Sequence, residues 1–350
     1  MKNFLTIENL SKTYIGGYNA INDISFELSK GGKFAILGGY VSGKTTLLSI
    51  IAGLESATSG EIILNGKCIN NFKIKDRNIG FLDKSLQLAK FKKVKDIIVY
   101  PLKLRKVDNN DIAEKLVAIC NLLGISDLLS KKVKSLSQYQ KTLVAVARLF
   151  ICDRDLYLID DIFDNLSLTE QQTLIDKIKK LIVDKTVVFA FSSYDIALNF
   201  TFENVLLLAY STIVMTGNIH NKENFTNTLA GYKFVNNKKI CSIPISLDNK
   251  KIYVEENEFA NNLKLKSEIF DKGLLALTTD KISFNNSKQV VISAEIYYIN
   301  KFNIAYLDIN SDIATIYLDH PYKEGDKLTL SFDISDGILY DFESERRIST

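Results

Sequence analysis

The residues Gly38-Gly39-Tyr40-Val41-Ser42-Gly43-Lys44-Thr45-Thr46 set glycines, a lysine and hydroxyls in the spacing GxxxxGK[ST]. Each type has a task in holding a phosphate chain. Glycines let backbone N–H groups curl around phosphate oxygens, Lys44 brings a positive charge to the β/γ-phosphates, and Thr45 offers a hydroxyl to Mg²⁺. Val41 is the odd member, a β-branched residue where a permissive one would be easier. A second constellation, Asp160-Asp161, follows the apolar run Leu156-Tyr157-Leu158-Ile159. Two acids at a strand end suit Mg²⁺: Asp160 is expected to hold the metal, directly or through water, and Asp161 to face the γ-phosphate. Without the phosphate loop the same pair would read as an exposed turn. Tyr14, in the strand-rich N-terminal stretch, is an aromatic that could stack on an adenine.

These groups need a framework, and the flanking sequence supplies one. Phe34-Ala35-Ile36-Leu37 reads as a buried strand entering the loop, and Leu47-Leu48-Ser49-Ile50-Ile51-Ala52 as a helix leaving it, whose positive dipole end meets the phosphates. Residues 5 to 37 alternate short apolar runs with turn signals and predict strands, and Glu61-Ile62-Ile63-Leu64 predicts another, closing at Asn65-Gly66. From Asn110 to Gly124 the positions Ile112, Leu116, Ile119, Cys120 and Leu123 recur at helical spacing. Residues 85–150 carry most of the helical pattern and predict a helical lobe inserted into an α/β core. A strand ending in Asp160-Asp161, a helix from Thr169 to Leu181 and a strand from Thr186 to Phe191 continue the alternation of a parallel sheet. Beyond about residue 235 the pattern turns to period two, as in Lys327-Leu328-Thr329-Leu330-Ser331-Phe332. The expected organisation is a nucleotide-binding unit over 1–234 and a β domain over 235–350.

The totals narrow the class. A chain of 350 residues is long enough for two cores, and a net charge of +3 is too small to point to nucleic acid. Cys68, Cys120, Cys152 and Cys241 lie far apart without a CxxC pair, so they read as buried thiols in a reducing cytosol. The N-terminus meets Glu8 before any signal-peptide core could form, and the most apolar segment, Val205 to Met215, is well short of the ~20 residues of a membrane span. A soluble protein is expected.

The order Tyr14, phosphate loop, helical insert, Leu136-Ser137-Gln138-Tyr139-Gln140 and Ile159-Asp160-Asp161 resembles the nucleotide-binding subunit of ABC transporters. Lys33-Phe34-Ala35-Ile36-Leu37-Gly38, Thr58-Ser59-Gly60-Glu61-Ile62 and Tyr340-Asp341-Phe342-Glu343-Ser344-Glu345-Arg346-Arg347-Ile348 look most like sugar importers of the maltose and glycerol-phosphate type. The resemblance implies a P-loop cassette fold with a C-terminal OB-like β region, and ATP and Mg²⁺ as ligands. It also implies a second cassette, in a homo- or heterodimer, and transmembrane permease subunits, with an external solute-binding protein acting indirectly. The location it implies is cytoplasmic, at the inner face of the cell membrane. In that family two cassettes sandwich ATP, each giving its phosphate loop to one nucleotide and its signature, usually LSGGQ, to the other. Carried over, the resemblance makes Tyr14, residues Gly38 to Thr46, Lys84, Ser137 and Gln140 nucleotide-binding, Thr45 and Asp160 metal-binding, and Asp161 a weak catalytic residue.

Several positions depart from the family pattern. Gln138 and Tyr139 replace the signature glycines and put bulk where backbone would approach the partner's γ-phosphate. Lys84 falls at the Q-loop glutamine, with Gln87 three residues on. Asp161 stands for the catalytic glutamate, Ser192 or Ser193 for the switch histidine, and Ser167 where the D-loop usually ends in aspartate. Neither His220 nor His320 lies near enough in sequence to substitute. Shortening Glu to Asp withdraws the carboxylate, and ~1 Å of misplacement can cost ~10²-fold in rate. The expectation is an importer subunit that binds ATP but hydrolyses it weakly or not at all. The alternative is a pseudo-ATPase module that uses ATP as a structural or regulatory ligand, and a soluble P-loop enzyme fits least.

Overall fold

The computed structural model describes residues 3–236, 240–248, 251–254, 257–259, 272–284, 288, 290–299, 304–309, 312–318 and 321–347. They form two compact units, 1–220 and 221–350. In chain order the first unit contains β1 (Leu5–Thr13), β2 (Asn19–Leu28), β3 (Lys33–Leu37), α1 (Lys44–Ala52), β4 (Ser59–Leu64), β5 (Lys67–Cys68) and β6 (Ile79–Leu82). Three helices follow: α2 (Val94–Leu104), α3 (Asn109–Leu123) and α4 (Gln138–Phe150). The alternation resumes with β7 (Leu156–Asp160), α5 (Leu168–Leu181), β8 (Val187–Phe191), α6 (Tyr194–Ala197), β9 (Asn204–Ala209) and β10 (Thr212–Gly217).

Two sheets enclose α1. An antiparallel sheet runs β2-β1-β4-β5, and a six-stranded sheet runs β10-β9-β3-β8-β7-β6. All pairs of the latter are parallel except the β9–β10 hairpin. Helix α1 is apolar on more than one face because it packs on both sheets: Leu47, Leu48, Ile50 and Ile51 share one core with Leu5, Ile7, Phe34, Ile36, Leu156 and Leu158. Its C-terminus is fixed by Arg77, which donates to the carbonyls of Ile50 (2.8 Å) and Ile51 (2.9 Å), while Gly53 turns left-handed at φ 84°. Alternation along β8 sends Val188 and Ala190 toward that core. Phe189 and Phe191 turn the other way and stack at 5.4 Å, joined there by Phe200. The expected helical lobe is α2 to α4, set between β6 and β7.

The most apolar segment is the β9–β10 hairpin, and among the described residues no helix is long and apolar enough to cross a membrane. Three cysteines are buried as expected. Cys68 is exposed instead, because it ends the two-residue edge strand β5.

The second unit begins with α7 (Lys222–Phe225) and α8 (Leu229–Asn236) and continues, among the described residues, as nine strands. They are β11 (Ile240–Asp248), β12 (Lys251–Val254), β13 (Asn257–Phe259), β14 (Lys272–Thr278), β15 (Val290–Ile299), β16 (Ile304–Ile309), β17 (Asp312–Tyr317), β18 (Lys327–Phe332) and β19 (Ile338–Asp341). The strands form one antiparallel sheet whose core includes Ile243, Leu275, Ile292, Leu307 and Leu330. Among the described residues the nine strands exceed the five of a single OB barrel. The division falls at 220/221, ahead of the 234/235 expected from patterning, because the two short helices pack on this sheet. Leu229 shares a cluster with Ile240, Ala276 and Tyr340, the Tyr340 hydroxyl donates to the Thr226 carbonyl (2.9 Å), and the Leu229 N–H donates to the Glu345 carbonyl. His320 and Ile348 lie outside the described residues.

Candidate functional site

Parallel strands deliver their C-terminal ends to one edge, so the segments after β3, β6, β7 and β8 meet there. The Gly38 N–H donates to the Phe191 carbonyl (3.2 Å) and the Asp161 N–H to the Ala190 carbonyl (3.1 Å), tying three of these ends together. In the loop itself two glycines are required by space. A Cβ on Gly38 would lie 2.5 Å from the Leu208 carbonyl oxygen, and one on Gly43, at φ 98°, only 2.3 Å from that of Ala20. Val41 adopts φ 64°, a strained choice for a β-branched residue, and is 80% exposed at the mouth of the loop.

Lys44 is turned into the loop. Its ammonium donates to the carbonyls of Gly38 (2.7 Å) and Gly39 (2.9 Å) and lies 3.7 Å from Asp161 Oδ2. Burial pushes its pKa down, against the nearby carboxylates of Asp161, Asp160 and Asp164. The first turn of α1 leaves N–H groups without intrahelical acceptors, and its N-cap, Gly43, supplies no side-chain cap. Such an open helix start suits phosphate.

Thr45 Oγ1 donates to Asp160 Oδ2 (2.6 Å), so the two expected metal ligands are in contact. Asp160 is fully buried, its Oδ1 has no hydrogen-bond partner, and burial raises its pKa to about 6. An orphaned buried carboxylate oxygen beside a hydroxyl fits Mg²⁺, which takes one or two carboxylates and completes its shell with phosphate oxygens and water. ATP fits the same place through the Lys44 ammonium and the open N–H groups of α1.

Asp161 is held differently. It sits at φ 47°, its Oδ1 accepts the Ser192 N–H (2.6 Å), and its Oδ2 accepts the Ser192 hydroxyl (2.5 Å). Ser192, not Ser193, is therefore the residue against the acid, while Ser193 caps α6. The sequence could have named Ser192 only through its place at the end of β8. Asp164 was also not foreseen: its Oδ2 accepts the Tyr40 hydroxyl at 3.5 Å, and burial followed by the Asp161 charge raises its pKa. Lys84 reaches the same cleft, with its ammonium 5.7 Å from the Tyr40 ring centre. Next to it Asp83 accepts from Ser85 and Gln87, and Arg148 holds the carbonyls of Leu86 (2.8 Å) and Gln87 (2.9 Å), both left-handed residues.

The remaining expected site residues stand apart from the loop. Tyr14 occupies the turn between β1 and β2, stacked on Tyr18 with the Lys12 ammonium 5.0 Å from its ring. The start of β2 after this turn abuts Gly43. Ser137 and Gln140 contact each other: each side chain accepts the other's backbone N–H, a capping box at the start of α4. Ser167 makes the same arrangement with Glu170 at α5.

A family model described as ABC transporter matches residues 21–164, from β2 through the Asp160-Asp161 pair. The first unit has the ABC-cassette fold of a P-loop NTPase. Relatives of the cassette are importer proteins. The molybdate/tungstate import ATP-binding protein WtpC of Thermococcus kodakarensis is 36% identical over 176 residues, 50% of this chain and 53% of that one. The sn-glycerol-3-phosphate import ATP-binding protein UgpC of Vibrio cholerae is 34% identical over 191 residues, 55% of this chain and 51% of that one. The chain thus spans about half the length of the curated relatives it matches. Among solved structures, the ADP conformation of the cassette MJ1267 aligns with a TM-score of 0.57 at 23% identity, over 67% of this chain and 97% of that one. At that identity the likeness speaks to fold alone.

Proposed function

We propose that the chain is the ATP-binding subunit of an ABC importer, holding Mg-ATP firmly and hydrolysing it weakly or not at all on its own. The observation that carries this reading is the contrast between neighbouring carboxylates: Asp160 keeps a buried oxygen without a partner, whereas both oxygens of Asp161 are engaged by Ser192. The first is disposed to take a cation. The second is clamped, one methylene shorter than a glutamate, and is poorly placed to orient an attacking water. Bound Mg²⁺ would neutralise phosphate charge; Lys44 would bind the β/γ-phosphates, Lys84 would add a second cation at the mouth, and Tyr14 would face the base.

The working assembly in this proposal has a second cassette, with Ser137 and Gln140 facing the partner's nucleotide, and permease subunits at the inner face of the membrane. A solute-binding protein would act indirectly. The solute is proposed as a sugar or a related small polar compound. The names of the relatives cover molybdate, tungstate and glycerol 3-phosphate. A second reading, a regulatory module that uses ATP as a structural ligand, is favoured by the same Asp161 clamp.

Calorimetry with Mg-ATP tests the binding half, and a wild-type chain without affinity ends the proposal. Steady-state ATPase assays of the chain, alone and with its permease, separate the two readings. Permease-stimulated turnover supports the importer, its absence despite tight binding supports the module, and brisk turnover by the chain alone refutes weak hydrolysis. Asp161→Glu with Ser192→His is expected to raise turnover.

A further inference from the structure

The helical lobe carries a cationic surface that the nucleotide site does not use. It is built from two short runs, Lys90-Phe91-Lys92-Lys93-Val94-Lys95 and Lys131-Lys132-Val133-Lys134. Backbone pairing brings them side by side: the Val94 N–H donates to the Lys131 carbonyl (3.0 Å), that of Val133 to the Lys92 carbonyl (3.1 Å) and that of Lys134 to the Lys90 carbonyl (2.8 Å). Val94 and Val133 are buried and anchor the pair, which leaves the intervening lysines exposed. The two runs hold seven lysines, yet the whole chain is only +3, so the rest of the molecule is net acidic. The charge is segregated.

Little within the chain neutralises it. Among the described residues one ion pair touches these lysines, Lys131 with Asp127 at 3.7 Å, and Lys134 lies over the Phe91 ring at 5.8 Å. The Phe91 ring is 75% exposed and borders a shallow groove of about 640 Å³ with Lys92, Lys93, Lys95, Lys103 and Lys132, where, among the described residues, Asp96 is the one acid against five lysines. Tyr100, 58% exposed, borders the adjoining groove with Lys92 and Lys103. Close-set like charges repel and favour a counter-surface of opposite sign.

We propose that this face docks on an anionic membrane surface, with the lysines on lipid headgroups and Phe91 at the level of the acyl boundary. A lysine run interleaved with an exposed aromatic has the chemistry of such an interface: cations attracted to negative headgroups, and an apolar ring that gains by leaving water. An acidic protein segment would use the lysines and leave the Phe91 ring in water.

The test is co-sedimentation of the full chain, without nucleotide, with phosphatidylcholine vesicles that contain or lack about one-fifth phosphatidylserine, a content that supplies the negative surface. Binding is expected with phosphatidylserine only and should weaken as salt rises. At about a fivefold effect per lysine, Lys92→Glu/Lys93→Glu/Lys95→Glu should lower affinity on the order of a hundredfold or more. Lys67→Glu/Lys73→Glu/Lys75→Glu, with the same change in net charge, should leave it near wild type. Phe91→Ala, which keeps every charge, should lose binding at raised salt. Binding independent of phosphatidylserine, equal loss in both triple variants, or full displacement by polyglutamate or a single-stranded oligonucleotide at equal charge would overturn the proposal.

Discussion

Two helix starts in the cassette carry the two motifs most concerned with phosphate, and they are built in opposite ways. Helix α1 opens on Gly43 at φ 98° with no side-chain cap, so its first N–H groups remain available and the Lys44 ammonium lies among them. Helix α4 opens on Ser137 with a complete capping box, in which Ser137 and Gln140 satisfy each other's N–H groups, and its first turn carries Gln138 and Tyr139. A helix start on glycine leaves its first N–H groups open to an anion; one that caps itself has fewer to offer. In the function proposed above, the difference would place nucleotide affinity on the α1 side of the chain and make the α4 side the weaker half of a shared site.

The sharpest break in that comparison is Lys44→Ala. It removes the buried ammonium from the α1 loop and should weaken Mg-ATP binding in calorimetry by roughly a hundredfold or more, the scale of a charged group lost from a buried pairing. If affinity survives, the α1 start is not the binding half.

The buried acid beside that loop gives the next effect. Asp160 has a folded pKa of about 6, raised above its ordinary value by burial. Between the unfolded value and about 6 the folded state binds the extra proton, so unfolding free energy falls as pH rises through this window, by on the order of 3 kcal/mol. Denaturant titrations of the nucleotide-free chain should show that decline, and Asp160→Asn should flatten it. An equal decline in Asp160→Asn and wild type, or none in wild type, would mean that Asp160 is not protonated in the folded state.

On the α4 side, Gln138→Gly with Tyr139→Gly should raise the ATPase turnover of an assembly with an intact partner on the order of tenfold, by restoring close backbone approach. The α1 site's own Mg-ATP affinity, measured on the isolated chain, should not change. An unchanged rate would put the deficit in the Asp161 clamp instead.

The smallest effect isolates the cap. Ser137→Ala should cost about 1 kcal/mol of stability by thermal or chemical unfolding, with Mg-ATP affinity at the α1 loop intact. A larger loss would mean that α4 depends on its box for more than its first turn.

The sequence by itself determined the phosphate loop, the strand before it, the helix after it and the acid pair, because those features are local: a strand must end where the glycines begin, and hydrophobic period separates the α/β core from the β-rich tail. It determined the helical lobe for the same reason. Tertiary structure alone decided which residues face one another. That Ser192 clamps Asp161, that Asp164 and Lys84 flank Tyr40, and that Arg77 closes the far end of α1 all follow from segments brought together in space but distant in sequence. The domain edge shows the same limit. Leu229 lies ahead of the boundary expected at 234/235, yet its buried partners, Ile240, Ala276 and Tyr340, belong to the sheet that follows. A periodicity states that a face will be buried, and only the assembled chain states against what.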